Sequence, residues 1–188
     1  MTLNNNIIDA EPALLEQRLR GLIEAAKSGD RGAYQQIYQQ HIGQVYALCF
    51  RLTGDRDHAE EAAQEVFIQV WQKLQNFKGD SKFSTWLHSV TSNVTISYLR
   101  KQKGWWQRML NIEDSPAMEM PSEGLTAEID LDEYIVRLPE RARIVFVLHA
   151  IEGYRHEEIA ERMNIAVGSC KAQFHRAKQL MKEWMGYD

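Results

Sequence analysis

Cysteine, proline and long apolar runs are what this chain has least of. Two cysteines occur in 188 residues, Cys49 and Cys170, far apart and in no C-x-x-C or Cys/His spacing. That excludes a zinc ribbon and points to a reducing compartment. No stretch approaches the about 20 apolar residues that a membrane-spanning helix needs. The opening MTLNNNIIDAEPALLEQ lacks a basic-then-apolar signal pattern, so the expectation is a cytoplasmic protein with no membrane insertion. A glycine-rich phosphate loop, an E-x-x-H pair suited to a di-iron bundle and a compelling Ser/His/Asp set are also missing. His41, His58, His88, His149, His156 and His175 do not cluster at metal spacing. The chain therefore reads as non-enzymatic, with no cofactor and no metal.

What is present is helical periodicity and unevenly placed charge. The formal net charge is −4, which at first argues against nucleic acid. Its distribution argues otherwise. Residues 105–133 hold eight acidic residues and one basic, residues 134–188 seven against nine, and residues 1–104 eleven against twelve. The flanking parts are slightly basic, and each can present a local positive face.

The length fits one domain or two small ones, and 44% apolar residues suffice for real cores. Four helical runs come first. One covers Leu14–Ala26, with apolar positions 14, 15, 19, 22 and 23, and closes at SGDRG; Ala33–Leu52 follows. A D-x-x-E pattern, Asp57 to Glu60, predicts the cap of a third helix whose apolar stripe is 59, 62, 63, 66, 67, 70, 71 and 74. In NFKGDSKFSTW, Gly79 reads as a turn and Asp80 or Ser81 as the cap of the fourth helix. That helix spaces Phe83, Leu87, Val90, Val94 and Tyr98 at three and four residues, with Ser92 among its surface polar residues. Val94, Thr95 and Ile96 lower its intrinsic helicity, so tertiary packing must hold it.

Periodicity fails from about Lys103 to Asp130, where two of the four prolines and most of the unbalanced acid lie. The segment is too long for an ordinary turn and reads as a flexible linker. A short helix then leads to Pro139, placed in a first turn, and Ile144, Val145, Val147, Leu148 and Ile151 make a buried helix ended at Gly153. Ile159, Ala160 and Met163 give the next helix its inner face, and Asn164 starts a turn. Val167, Cys170, Phe174, Ala177, Met181 and Trp184 follow at intervals of 3, 4, 3, 4 and 3. The fold class is all-α: two small helical domains, 1–103 and 131–188, joined by an acidic linker at 104–130, the second containing a helix-turn-helix. Its last helix leaves Ser169, Lys171, Ala172, Gln173, His175, Arg176 and Lys178 variously exposed, as DNA recognition needs. A plain helical hairpin with a solvated face has the same pattern. A repressor without polymerase would share the hairpin but would not need the segment from Asp57 to Lys103, and a protein-interaction module is a third reading.

The stretch LPERARIVFVLHAIEGYRHEEIAERMNIAVGSCKAQFHRAKQLM resembles the −35-reading domain of extracytoplasmic-function sigma factors, the two-domain class of the sigma-70 family, from its LPE start through EEIAE to GSCKAQFHRAK. DRDHAEEAAQEVFIQVWQKLQNFKGDSKFSTWLHSVTSNVTISYLRKQK is similar to the same family's core-binding and −10-reading segments. In the −10-reading helix SNVTISYLR stands where the family usually has Asn-Thr-ALDxxR, and in the −35-reading stretch two positions depart from the usual pattern. Cys170 replaces a small aliphatic residue, and Ala172-Gln173 replaces a frequent Ser-Arg pair, so the upstream sequence preference does not carry over.

The resemblance implies an alternative sigma factor that binds bacterial core RNA polymerase, recognises −35 and −10 elements and promotes promoter melting. It implies core-polymerase contacts at Asp57, Glu61, Gln64, Glu65 and Gln69. It places single-stranded non-template −10 DNA at Phe77, Lys78, Gly79, Asp80, Ser81, Lys82, Ser84, Thr85, His88, Asn93, Arg100 and Lys101. Double-stranded −35 DNA falls to Arg155, His156, Ser169, Lys171, Ala172, Gln173, His175, Arg176 and Lys178. Trp86, in FSTWL, reads as core. The family also implies an anti-sigma factor as partner, which can hold the protein at the inner membrane, and a linker that passes the RNA exit region, where Trp105 and Trp106 are unusual.

Overall fold

The computed structural model describes residues 5–102 and 131–186, with side chains from residue 13 onward. The expected linker, Trp105 and Trp106 included, lies outside the described residues. Helices α1 (Asn5–Lys27), α2 (Arg31–Thr53), α3 (Arg56–Lys73) and α4 (Phe83–Lys101) form a first cluster. A second comprises α5 (Leu131–Arg137), α6 (Glu140–Phe146), α7 (His156–Met163) and α8 (Val167–Met185). The all-α reading with a C-terminal helix-turn-helix holds.

Helix α2 is the axis of the molecule. Asp30 starts it, its carboxylate accepting from the N–H groups of Gly32 at 2.8 Å and Ala33 at 3.0 Å. Ile37, Val45, Leu48, Cys49 and Leu52 form its buried stripe, and it packs against α1, α3, α4, α5 and α6. Gly54, at φ 68°, ends it by donating its N–H to Phe50 O. The next residue opens α3: Asp55 accepts from His58 N–H at 2.9 Å. Two residues thus stop one helix and start another. In α4 the β-branched run is held by burial, as its low propensity requires: Thr91, Val94, Thr95 and Ile96 are all inside. The threonine hydroxyls donate back to Leu87 O and Thr91 O at 2.8 Å.

Several local expectations are corrected. The cap of α3 is Asp55, and Asp57 sits in the first turn, because Gly54 breaks the chain two residues earlier than the D-x-x-E template suggested. Helix α4 starts after Lys82 with no side-chain cap, so neither Asp80 nor Ser81 caps it. Leu14 and Leu15 are 64% and 62% exposed, the packed part of α1 beginning nearer its C-terminus. Ser92 is buried. Pro139 precedes the first turn of α6 as its cap residue. That helix continues as a π-helical turn, Val147–Ile151, which rotates Ile151 out to 37% exposure.

The two clusters meet through α2, α5 and α6. Arg143 of α6 lies buried across this junction. Its guanidinium donates to Leu52 O at 3.3 Å and Thr53 O at 2.7 Å, and on its own side to Leu138 O at 3.0 Å and Val136 O at 3.2 Å. Leu52 and Thr53 belong to the last turn of α2, where carbonyls lack helical partners and the dipole favours a cation. Burial pushes the Arg143 pKa down to about 10, which leaves it charged at neutral pH. Alongside, Arg51 grips Asp132 with two bonds, 2.7 and 3.0 Å.

Candidate nucleic-acid interface

The helix-turn-helix is built from α7 and α8. Ile159, Ala160 and Met163 of α7 are buried, as are Cys170, Ala177 and Met181 of α8. Between them Asn164 takes φ 54° and donates its N–H to Ala160 O and Glu161 O, the left-handed stop that asparagine tolerates. Val167, Phe174 and Trp184 are half-buried on the same side, so the packed stripe is the one the sequence spacing gave. Ser169, Lys171, Ala172, His175 and Lys178 are exposed on the opposite side, and Gln173 and Arg176 partly so. Lys178 reaches over the Phe174 ring at 4.9 Å. Arg155 stands exposed at the start of α7, its N–H donating to Glu158 at 2.8 Å.

His156 is turned inward. Its ring stacks on His149 at 4.0 Å between centroids, and its Nδ1 lies 3.4 Å from Cys170 Sγ. Burial, together with His149 and Lys171, holds its pKa below the ordinary histidine value. His149 is fixed in turn, donating from Nδ1 to Tyr154 O at 2.7 Å.

A second surface surrounds the segment before α4. Gly79 takes φ 81° and turns the chain. Phe77 and Phe83 are buried and pack with Trp86 as an aromatic triangle, centroids 5.4–5.6 Å apart. Trp86 is half-buried and packs against this core. Lys78, Gly79, Asp80, Ser81, Lys82, Ser84 and Thr85 are exposed. A cavity of about 850 Å³ opens between this segment and α1, with Leu19, Ile23, Phe77 and Phe83 among its apolar lining and Arg18, Arg20, Lys78 and Lys82 among its cations.

Farther along α4 the candidate residues already have partners. His88 Nδ1 lies 3.0 Å from Glu152 of the second cluster, a carboxylate only 7% exposed. Asn93 accepts from Arg162 of α7 at 2.5 Å, and Arg162 also lies over the Tyr154 ring. Lys101 pairs with Glu65 of α3 at 3.6 Å. Arg100 is half-buried.

The third surface is the outer side of α3. Asp57, Glu61 and Gln64 are exposed and Glu65 and Gln69 partly so. Glu61 is not a loose charge: it accepts from Tyr98 OH at 2.5 Å, and His58 Nδ1 lies 2.8 Å from the same hydroxyl. Burial and then Glu61 raise the Tyr98 pKa, so the phenol stays a donor. Sequence reasoning missed the apolar part of this side. Ile68 is 56% exposed, and Trp71 and Tyr38 are also open to solvent, Tyr38 packing on Phe67 at 4.6 Å and Trp71 on Tyr34 at 4.7 Å. Ile68 falls outside the buried stripe of α3, which was the available signal.

These surfaces lie on a two-part helical protein whose second part holds a helix-turn-helix. Two family models match it, Sigma-70 region 2 over residues 37–104 and Sigma-70 region 4 over 128–181. The chain is 29% identical over 182 residues to the ECF RNA polymerase sigma factor SigW of Bacillus subtilis, an alignment covering 90% of this chain and 97% of that one. To the ECF RNA polymerase sigma-E factor of Escherichia coli K12 it is 28% identical over 172 residues, covering 84% and 89%. The sigma factor RpoE of Bartonella quintana, solved in complex with the anti-sigma factor NepR, has the same fold, with a TM-score of 0.52 at 21% identity over 82% of this chain and 98% of that one. The chain belongs to the extracytoplasmic-function group of the sigma-70 family. Sigma factors are specificity subunits of RNA polymerase and are not catalytic.

Proposed function

We propose that this chain replaces the principal specificity subunit on core RNA polymerase, reads a −35 element through α8, and opens the −10 region by holding unpaired non-template bases beside the Phe77–Lys82 segment. The observation that carries the melting role is the cavity there. An apolar floor with a rim holding more cations (Arg18, Arg20, Lys27, Lys78, Lys82) than carboxylates (Glu16, Glu24) suits an unstacked base with its phosphates, and the few kcal/mol lost on unpairing is offset by stacking and edge hydrogen bonds. The outer side of α3, with Glu61, Gln64, Glu65 and Gln69 around Ile68 and Trp71, is assigned to the polymerase. Residues 1–103 and 131–188 act as separately anchored domains and 104–130 as their tether. In the arrangement described, His88 and Asn93 must exchange Glu152 and Arg162 for DNA before they can contact it. An anti-sigma protein covering the polymerase-binding surfaces in the cytoplasm, itself anchored in the inner membrane in some cases, fits the family reading.

Transcription of a genomic fragment library by core enzyme plus this protein tests the reading: specific starts that require the chain are expected, and their absence with folded protein overturns it. Lys171→Ala and Arg176→Ala should each weaken promoter binding about fivefold or more while polymerase affinity is kept, and should flatten the salt dependence. Glu61→Lys with Glu65→Lys should do the reverse, reducing polymerase affinity first. Equal loss of both activities in either set would remove that helix from its assignment.

A further inference from the structure

Lys27, in the last turn of α1, is bonded to the short turn that leads into the Phe77–Lys82 segment through both its side chain and its own carbonyl. Its ammonium donates to Phe77 O at 2.8 Å, fifty residues away, and pairs with Glu24 at 2.9 Å. Its own carbonyl accepts from the side-chain amide of Gln75. The ammonium also stands 5.9 Å from the centre of the Phe77 ring. The side chain is 17% exposed, far less than the 71% of its partner Glu24, so this is not a solvated lysine that happens to graze a carbonyl. A charge-assisted bond to a backbone oxygen in a half-buried setting holds its acceptor more firmly than a surface ion pair does.

The geometry has a consequence for the cavity. Phe77 is where the chain leaves the short turn Leu74–Asn76 and becomes extended, and two residues later Gly79 reverses it. Fixing Phe77 O and Gln75 to α1 sets the distance between the two walls. Lys27 itself lines the space, with Leu19 and Ile23 one to two turns back on the same helix. A cavity of about 850 Å³ is within the about 300–1,000 Å³ range of preformed small-ligand sites.

We infer that Lys27 is a positioning residue for base capture: it ties the Phe77–Lys82 segment to α1 and keeps the cavity between them open to an unstacked base. The inference rests on the melting role proposed above. Contact with the phosphate chain comes from the rim cations and does not depend on it. Loss of Lys27 therefore removes discrimination at one nucleotide position while backbone binding continues.

The test uses the full chain bound to core polymerase and fluorescent non-template single strands from a promoter it uses, each with one abasic substitution in turn. For the unaltered protein, one position is expected to show about tenfold weaker binding when its base is removed. Lys27→Met should bring that penalty to about twofold or less, Lys27→Arg should restore most of it, and binding to duplex −35 DNA should stay unchanged. Gln75→Ala, which loosens the same segment without removing a charge, serves as a second variant if Lys27→Met does not fold, and is expected to reduce the penalty too. If the unaltered protein shows the penalty and both Lys27→Met and Gln75→Ala keep it in full, Lys27 does not position the site. If no abasic position matters in the unaltered protein, it is the base-capture reading itself that fails.

Discussion

Gly54→Ala is expected to lower stability by roughly 3 kcal/mol, the largest effect of any single methyl addition suggested by the structure. Two costs combine. The residue has φ 68°, where a side chain is disfavoured by about 1–2 kcal/mol. The added Cβ would also lie 2.5 Å from the guanidinium carbon of Arg143, well inside any real contact. Arg143 would have to withdraw, leaving the last carbonyls of α2 and a buried cation short of partners. Urea unfolding of Gly54→Ala, Arg143→Met and the double variant separates these costs. With Arg143 already replaced, the alanine should cost only about 1 kcal/mol, the backbone part alone. Additive effects of the two substitutions would mean that the methyl does not act through Arg143.

Phe83→Ala should cost about 4 kcal/mol. Phe83 is 5% exposed and is the meeting point of Phe77, Trp86 and His41, with centroids 5.2–5.6 Å away. Its removal leaves a void beside His41, Phe77 and Trp86, whose rings lose their shared partner. Hydrogen exchange followed residue by residue should show faster opening across 77–90, with α8 amides retaining their protection. Phe83→Leu keeps most of the volume and should cost about 1.5 kcal/mol or less. A uniform rise in exchange over both clusters would show instead that the whole chain unfolds as one unit.

The helix-turn-helix was the most legible part of the sequence, for a physical reason. Six apolar residues at 3- and 4-residue intervals can share only one side of a helix, and the structure buries or half-buries all six. Helix starts were less legible, since Asp55 and Asp57 are equally good caps by residue type and only the break at Gly54 chooses between them. Contacts between distant segments left no pattern at all. Arg143 looks like one more cation on an amphipathic helix, yet it is buried against α2. His88 and Asn93 look like free polar groups, yet each meets a residue more than sixty positions away. Nothing local to α1 indicates that Lys27 meets Phe77. Periodicity reports which side of a helix is inside; it carries no information about which other segment arrives there.

The two cysteines carry a practical consequence for work on this molecule. Both are free and fully buried, Cys49 beside Thr95 at 3.3 Å and Cys170 beside His156. Burial raises the Cys49 thiol to about 11 and moves Cys170 upward as well. At neutral pH Cys49 stays a thiol, and with both sulfurs buried maleimide is expected to react with neither until the chain unfolds. A single cysteine placed on the surface is then expected to take up a dye or spin probe selectively with both native residues left in place.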